Sequence, residues 1–406
     1  MNILLINHYA GSIEMGMEFR PYYFAKEWVS QGHNVSIIAA SYSHLRTKNP
    51  KVKKNWEKEK IDGINYYWVK TNSYSGNGIG RLYNIMQFLI KTIISASKLC
   101  KTIRPDVVIS SSTYPMDGYI STKIRRISGA KYIHEVHDMW PISLIELNGM
   151  SKLHPFIIMN QIAEDRFCKK ADVVLSIPAC TKQYFVKHGM KPEKFCHIPN
   201  GIVVDDWENP SLLPKLHQEI LDELRKKEKF IICFTGSHNE MYGLKYLIEA
   251  VRKCERNDVV ALFVGSGYLK DKLIDETKNE RDKFIFLNPI SKLSIPTLLS
   301  QVDAVYVSGT KDNIFKYGIS MNKLTDAMMA GKPILYAVNA PNNYVVDYNC
   351  GISVPPRNSS AIANAILKML LMTKEERIGM GSNGHRAALA EFDYKILAQR
   401  FLDICK

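Results

Sequence analysis

The chain has 406 residues, 46% hydrophobic and 23% charged, enough to bury two substantial cores and too well mixed for a disordered polymer. Its net charge of +14 is lopsided: residues 1–200 hold 27 Lys and Arg against 15 Asp and Glu, whereas residues 201–406 hold 27 against 25. The excess points to an anionic partner (nucleic acid, a membrane surface or a phosphorylated substrate) rather than to solubility alone, and the lack of a recognised module or interleaved aromatic–basic patch argues against nucleic acid.

The opening MNILLINHYA predicts a strand, its apolar run being too short for a signal peptide. A helix over FRPYYFAKEWVSQG and a strand NVSIIAA follow. The basic segment TKNPKVKKNWEKEK at 47–60, with Trp56 among its lysines, suits an anionic lipid surface and equally a solvated loop. Next comes RLYNIMQFLIKTIISASKLCKTIRP, interrupted by Lys91 and Lys98, which reads as a buried or amphipathic helix rather than a spanning one. Strands DVVIS, AKYIHEVH and ADVVLSIP complete a first series. After IPNGI and a polar linker, a second series runs through KFIICFTG, DVVALFVGSG, KFIFLNPI, DAVYVSG and KPILYAV, with helices between. Two such series predict two facing Rossmann-like, doubly wound α/β domains with parallel sheets, divided near residue 205. Ligands of open α/β sheets sit beyond the carboxyl ends of the strands, so the expected substrate site is an interdomain cleft.

The eight cysteines form no CxxC pair and no Cys/His spacing. They read as reduced core thiols of a cytosolic protein, with no metal site expected. In the loop after the first strand, Gly11 and Gly16 allow close approach of a ligand to the backbone, and Glu14, Glu18 and Arg20 are too polar for a core. These three can contact a hydroxyl-rich acceptor; they can equally be a solvated helix start. His137 and Asp138 end a strand, where they can orient hydroxyls or meet developing positive charge, while His134, on the opposite face, reads as structural. In the second half, Gly236, Ser237, His238, Tyr242 and Gly243 lie between a strand and a helix, and Gly265 and Gly267 repeat that pattern. Either loop can cradle a phosphate or simply turn. In GISMNKLTDAMMAGKP a helix beginning at Asn322 or Lys323 puts Asp326 on the same face. Its free N–H groups and Lys323 can hold a diphosphate, Asp326 can accept from a ribose diol, and Gly331 ends it in the left-handed conformation.

Taken in order, the Gly16 loop, EFRPYYFAKEWVSQGHNV, HDMWP, IPNGI, FTGSHNEMYGL, FVGSG and NKLTDAMMAGKP resemble the retaining GT-B glycosyltransferases of family 4. The likeness runs over nearly the whole chain and is strongest to the bacterial branch that builds surface polysaccharides, including the L-fucosamine and N-acetylhexosamine transferases of O-antigen and capsule synthesis. It implies an acceptor-binding domain over 1–204, a nucleotide-sugar-binding domain over 205–385, and a helix over 386–406 returning to the first domain. It further implies a UDP-sugar donor, no cofactor or metal, and a glycan or polyprenyl-diphosphate-linked acceptor met at the inner face of the cell membrane. Residue by residue, it assigns Asp326 to the donor ribose, Gly16 and the Leu324 backbone to the diphosphate, and His137 and Asp138 to the transferred sugar. The family's Arg and Lys in the first loop of the second domain are here Ser237 and Tyr242. Its paired glutamates fall at Gly318 and Asp326, and the branch with Ser-Lys before the helix is matched by Asn322 and Lys323. Lys323, with His238, is the expected replacement cation. A sugar-nucleotide epimerase and a catalytically silent sugar-nucleotide-binding subunit are the competing readings.

Overall fold

Runs of Val and Ile bounded by Gly, Pro and Asp form two separate sheets in the computed structural model, which describes residues 1–16, 19–76, 78–309 and 313–406. Glu18, one of the acceptor candidates, lies outside the described residues. The chain divides into one unit of Met1–Asn200 with Tyr394–Lys406 and a second of Gly201–Asp393. These divisions differ from the 204/205 and 385/386 boundaries expected from sequence. The linker belongs to the second unit because the Ile202 amide donates to the Phe392 carbonyl at 2.7 Å and Ile202 bridges Asp393.

The first unit holds eight strands: β1 (Asn2–Ile6), β2 (Asn34–Ala40), β3 (Glu57–Ile61), β4 (Ile64–Val69), β5 (Val107–Ser110), β6 (Lys131–Val136), β7 (Val173–Ser176) and β8 (Phe195–His197). Their order across the sheet is β3-β4-β2-β1-β5-β6-β7-β8. Pairing is parallel except for β3 on β4, where Lys58 faces Tyr67 and Lys60 faces Asn65. Residues 57–60 of the basic segment are therefore a lysine-bearing edge strand and not a loop, a common way of blunting a sheet edge. Trp56 is half-buried and its amide donates to the Trp68 carbonyl at 2.8 Å, which removes it as an exposed interface residue.

Helix α1 (Phe19–Ser30) buries Phe24 and Trp28, and the C-terminal helix Tyr394–Cys405 sets Phe401 against both rings, with centroids 5.3 and 5.1 Å apart. The Trp28 indole N–H also donates to the Ala398 carbonyl at 3.2 Å, so this helix is part of the first unit's core. Helices α2 (Ile79–Ile103) and α3 (Gly118–Ser128) pack side by side, Cys100 of α2 reaching the Ile124 carbonyl of α3. Among the described residues no helix is long and apolar enough to cross a membrane.

The second unit carries β9 (Phe230–Thr235), β10 (Val259–Val264), β11 (Phe284–Leu287), β12 (Ala304–Ser308), β13 (Ile334–Ala337) and β14 (Gly351–Ser353), ordered β11-β10-β9-β12-β13-β14. All its pairings are parallel. A parallel sheet is covered on both faces, and VVALFV of β10 is correspondingly buried at every residue. The helices Leu244–Lys253 and Ser359–Leu371 close one core over Phe234, Phe263 and Leu335.

Candidate functional site

In the second unit, β9, β10 and β11 run side by side in one direction, so their carboxyl ends open at one edge. A cavity of about 380 Å³ lies there, lined by Gly236 and Ser237 after β9, Gly265 and Ser266 after β10, and Pro289 and Ile290 after β11. Its floor is main chain stacked on main chain. The Gly236 amide donates to the Val264 carbonyl at 3.0 Å, and the His238 amide to the Ser266 carbonyl at 2.8 Å. Gly265 has φ 153°, and a Cβ there would overlap the Gly236 carbonyl, so no other residue fits.

The wall comes from the helix Asn322–Met329. Its N-terminus points its first N–H groups outward, and the amides of Asn322 and Lys323 have no acceptor among the described residues. The Leu324 amide, expected to contact the diphosphate, already donates to the Met321 carbonyl at 3.0 Å, as the third residue of a tight first turn does. Lys323 and Asp326, one turn apart, both line the cavity. The Lys323 Nζ lies 3.2 Å above the centroid of the Tyr242 ring and 4.4 Å from that of Phe234, with no hydrogen-bond acceptor among the described residues. It also lies 3.1 Å from where a Cβ on Gly236 would stand, which places the ammonium beside the glycine turn. Burial pushes its pKa down to about 7, with Asp326 pulling the other way. The Asp326 carboxyl is pushed up to about 6 by burial, with Lys292 and Lys323 opposing and Asp206 adding. Two opposite charges thus line one wall, with neither in an ion pair among the described residues.

The remaining predicted residues fall around this cavity in different ways. Tyr242 is a seat beneath Lys323, and its carbonyl accepts from Ser308 Oγ at 2.7 Å. Gly243, at φ 52°, is the turn that starts the following helix. His238 is a correction: it is fully buried among Phe234, Phe263 and Phe286 and is absent from the cavity lining. Burial, then Lys270 and Lys323, push its pKa down to about 4, so near neutral pH it supplies no positive charge. Pro289, Ile290 and Ile295 line the cavity without having been expected to. Apolar residues beside a strand give no polar signal, and only the β11–β10 pairing brings them here.

In the first unit, the carboxyl ends of β5 and β6 bring Ser111 and His137 together. His137 Nε2 lies 2.9 Å from both Ser111 Oγ and Glu135 Oε2, and Ser111 Oγ donates to the same carboxylate oxygen at 2.6 Å. Asp138 is exposed beside it. Glu135, which carries no local signal inside its apolar strand, is held by Arg20 through Nε at 3.1 Å and Nη2 at 3.0 Å. Burial opposes its charge, but the Arg20 guanidinium and His137 hold its carboxyl well below the usual range. An ionised Glu135 accepts a proton-bearing Nε2, which orients the imidazole. His134 is indeed internal, stacked on Phe167 at 3.7 Å.

Arg20 is another correction: far from being too polar for a core, it is buried, and its remaining donors reach the Ile198 and Pro199 carbonyls at 2.9 and 2.5 Å. Breaking such a pair strands a buried charge. Arg20→Met is expected to lower stability by about 3–5 kcal/mol in urea unfolding followed by tryptophan fluorescence, whereas Glu14→Gln on the surface shifts it by no more than about 0.5 kcal/mol. Glu14 is exposed at the mouth of a second cavity, of about 640 Å³, with Lys48, Lys51, Lys58 and Glu59. Gly16, at φ 69°, packs against Thr47, whose amide donates to the Met15 carbonyl at 2.9 Å. Among the described residues, Glu164, Asp165 and His188 form a cluster of metal-ligating types, knitted by hydrogen bonds from Tyr184 and Gln161.

Residues 15–206 match the family model described as Glycosyltransferase Family 4, and residues 217–386 match that described as Glycosyl transferases group 1. No curated protein is similar to the chain in sequence. Among solved structures, Alr3699/HepE of Anabaena in complex with UDP and glucose is similar over 100% of this chain and 99% of its own, at 16% identity and a TM-score of 0.65. A glycosyltransferase from Rickettsia africae ESF-5 is similar over 100% and 97%, at 16% identity and a TM-score of 0.71. WaaG, a glycosyltransferase involved in lipopolysaccharide biosynthesis, is similar over 100% and 99%, at 16% identity and a TM-score of 0.65.

Proposed function

Because the chain is a group 1 glycosyltransferase of GT-B fold, with a family 4 glycosyltransferase domain ahead of the group 1 domain, we propose that it transfers a sugar from a UDP-sugar to a glycan or polyprenyl-diphosphate-linked acceptor in surface polysaccharide synthesis, with retention of configuration. The observation that carries this reading is the uncommitted pair Lys323 and Asp326 on the wall of a cavity at the carboxyl ends of β9, β10 and β11. A nucleoside diphosphate answers both charges: the ribose diol donates two hydrogen bonds to Asp326, and the diphosphate meets Lys323 and the amides of Asn322 and Lys323. Gly236, Ser237 and Gly265 let the main chain come close to it. HepE, which binds UDP and glucose, and WaaG, which acts in lipopolysaccharide synthesis, support the donor and the pathway class respectively.

In the transfer, the bond from the anomeric carbon to the diphosphate oxygen breaks and a bond to the acceptor oxygen forms on the same face. The acceptor's proton passes to the departing diphosphate. Lys323 and the helix amides offset the charge that builds there, which is where preorganised donors contribute most. No metal is required in this reading. By this reading His137 and Asp138 are assigned to the transferred sugar, and Glu135, buried and tied to Arg20, orients His137. Glu14 takes the acceptor side, whereas Arg20 serves the scaffold.

A donor screen that follows both thermal shift and UDP release tests the reading. UDP and one UDP-sugar are expected to raise Tm, with release of UDP only when an acceptor is present and at the same rate in EDTA. Conversion of the UDP-sugar without acceptor favours an epimerase. Binding with no release under any acceptor favours a silent binding subunit, and no response to any uridine nucleotide overturns the donor assignment.

A further inference from the structure

One surface of the first unit is not accounted for by sugar transfer. On α2, Ile79, Tyr83, Ile90 and Ile94 are 86%, 58%, 50% and 72% exposed. Spacings of four, seven and four residues set them within one narrow stripe of a helix, about 22 Å long at 1.5 Å per residue. A stripe of large apolar groups facing water on a helix whose other side is already packed calls for an occupant. The charges beside it say which. α2 contains Arg81, Lys91, Lys98 and Lys101 and no acidic residue; α3 contains Lys123, Arg125 and Arg126 and none either. Lys98 and Lys101 are exposed and lie at the end of α2 where Cys100 meets Ile124, and Arg126 is exposed just beyond on α3. A second copy of this chain would press like charges together across a two-fold axis, whereas an anionic bilayer offers both an apolar interior and phosphate headgroups.

We propose that α2 is an in-plane membrane-docking helix: its Ile79–Ile94 stripe enters the headgroup boundary of an anionic phospholipid bilayer, while Lys98, Lys101 and Arg126 pair with lipid phosphates. The helix starts at the carboxyl-end edge of the first sheet, the edge that carries Ser111 and His137, so docking brings that edge to the lipid. This rests on the proposed lipid-linked acceptor only for its purpose, because binding to vesicles needs neither donor nor acceptor. It also moves the membrane contact away from residues 47–60, whose strand is paired into the sheet.

The test is flotation of the full chain with vesicles of phosphatidylcholine with or without phosphatidylglycerol. Binding is expected only with phosphatidylglycerol, weakened by salt. It should fall about tenfold or more both in Ile90→Gln/Ile94→Gln and in Lys98→Gln/Lys101→Gln, with Tm and the UDP-induced shift unchanged, and stay as wild type in Lys53→Gln/Lys54→Gln. Absence of vesicle binding overturns the proposal, as does wild-type binding by both α2 variants. A concentration-dependent dimer in light scattering that Ile90→Gln/Ile94→Gln dissociates also overturns it, by making the stripe a protein contact. None of these outcomes touches the sugar-transfer reading, which is decided by the uridine-nucleotide binding and UDP-release measurements described above.

Discussion

Asp326→Ala is expected to weaken UDP binding about 100-fold or more while leaving the melting temperature of the free protein within a few degrees. The carboxylate would accept two hydrogen bonds from the ribose, and hydrogen bonds to a charged group contribute about 1.5–3 kcal/mol each. Roughly 3 kcal/mol is about 100-fold in Kd. The free protein should tolerate the change because the Asp326 carboxyl makes no hydrogen bond or ion pair among the described residues, so truncation orphans no described partner. Isothermal titration with UDP and with uracil-containing bases lacking ribose separates the effect: only the former should lose affinity. A variant that binds UDP as tightly as wild type would falsify the ribose role and with it the assignment of this helix.

The second large effect concerns Lys323. Lys323→Met should abolish measurable UDP release and reduce UDP affinity by about 10- to 100-fold, the share of one charge-assisted contact to phosphate. Its pH signature is more telling. In the free protein burial sets the ammonium at about 7, and a bound diphosphate raises it. Above pH 7 the free side chain is neutral while the bound one is charged, so binding takes up a proton and affinity falls toward tenfold per pH unit. Below about pH 6 Asp326 gains a proton and affinity falls again. The groups facing this pair are Lys292 and Asp206 toward Asp326, and the rings of Phe234 and Tyr242 toward Lys323. Neutral His238 does not titrate in this window. Lys323→Arg should flatten the alkaline limb, because guanidinium stays charged. Titration in two buffers of different ionisation enthalpy measures the proton directly. An alkaline limb that persists in Lys323→Arg would assign it elsewhere.

Much of this arrangement is legible in the sequence, and the parts that are not share a physical cause. Ten of the fourteen strands announce themselves as apolar runs between Gly, Pro and Asp, as parallel strands buried on both faces must, whereas β3, β4, β8 and β14 are not predicted. EKEKI, the edge strand β3, has no such run, since both its faces and one flank meet water; it owes its conformation to pairing with INYYWV of β4. β8 and β14 are three residues each, too short for any period to register. At the site, Gly236, Ser237, Gly265, Lys323 and Asp326 could be read because special backbone and uncompensated charge sit next to strand ends. Glu135 and Arg20 hide for the opposite reason. Each is a charge inside an apolar element, and 115 positions separate them, so nothing local says that they neutralise one another. His238 misled because a histidine in a glycine loop suggests the surface, whereas three phenylalanines close over it.

The stacked glycine loops under the cavity carry a consequence for how this protein can diversify. In the proposed donor site, recognition would be executed by peptide groups whose positions are locked to each other, so random substitution at Gly236 or Gly265 would disrupt the platform instead of retuning it. Descendants that acquire a taste for another activated sugar must record the change at the rim, on side chains such as Ser237, Ser266 and Ile290. A saturation library would therefore show silent floors and talkative edges: grip on the charged tail inherited as shape, choice of cargo left free to drift.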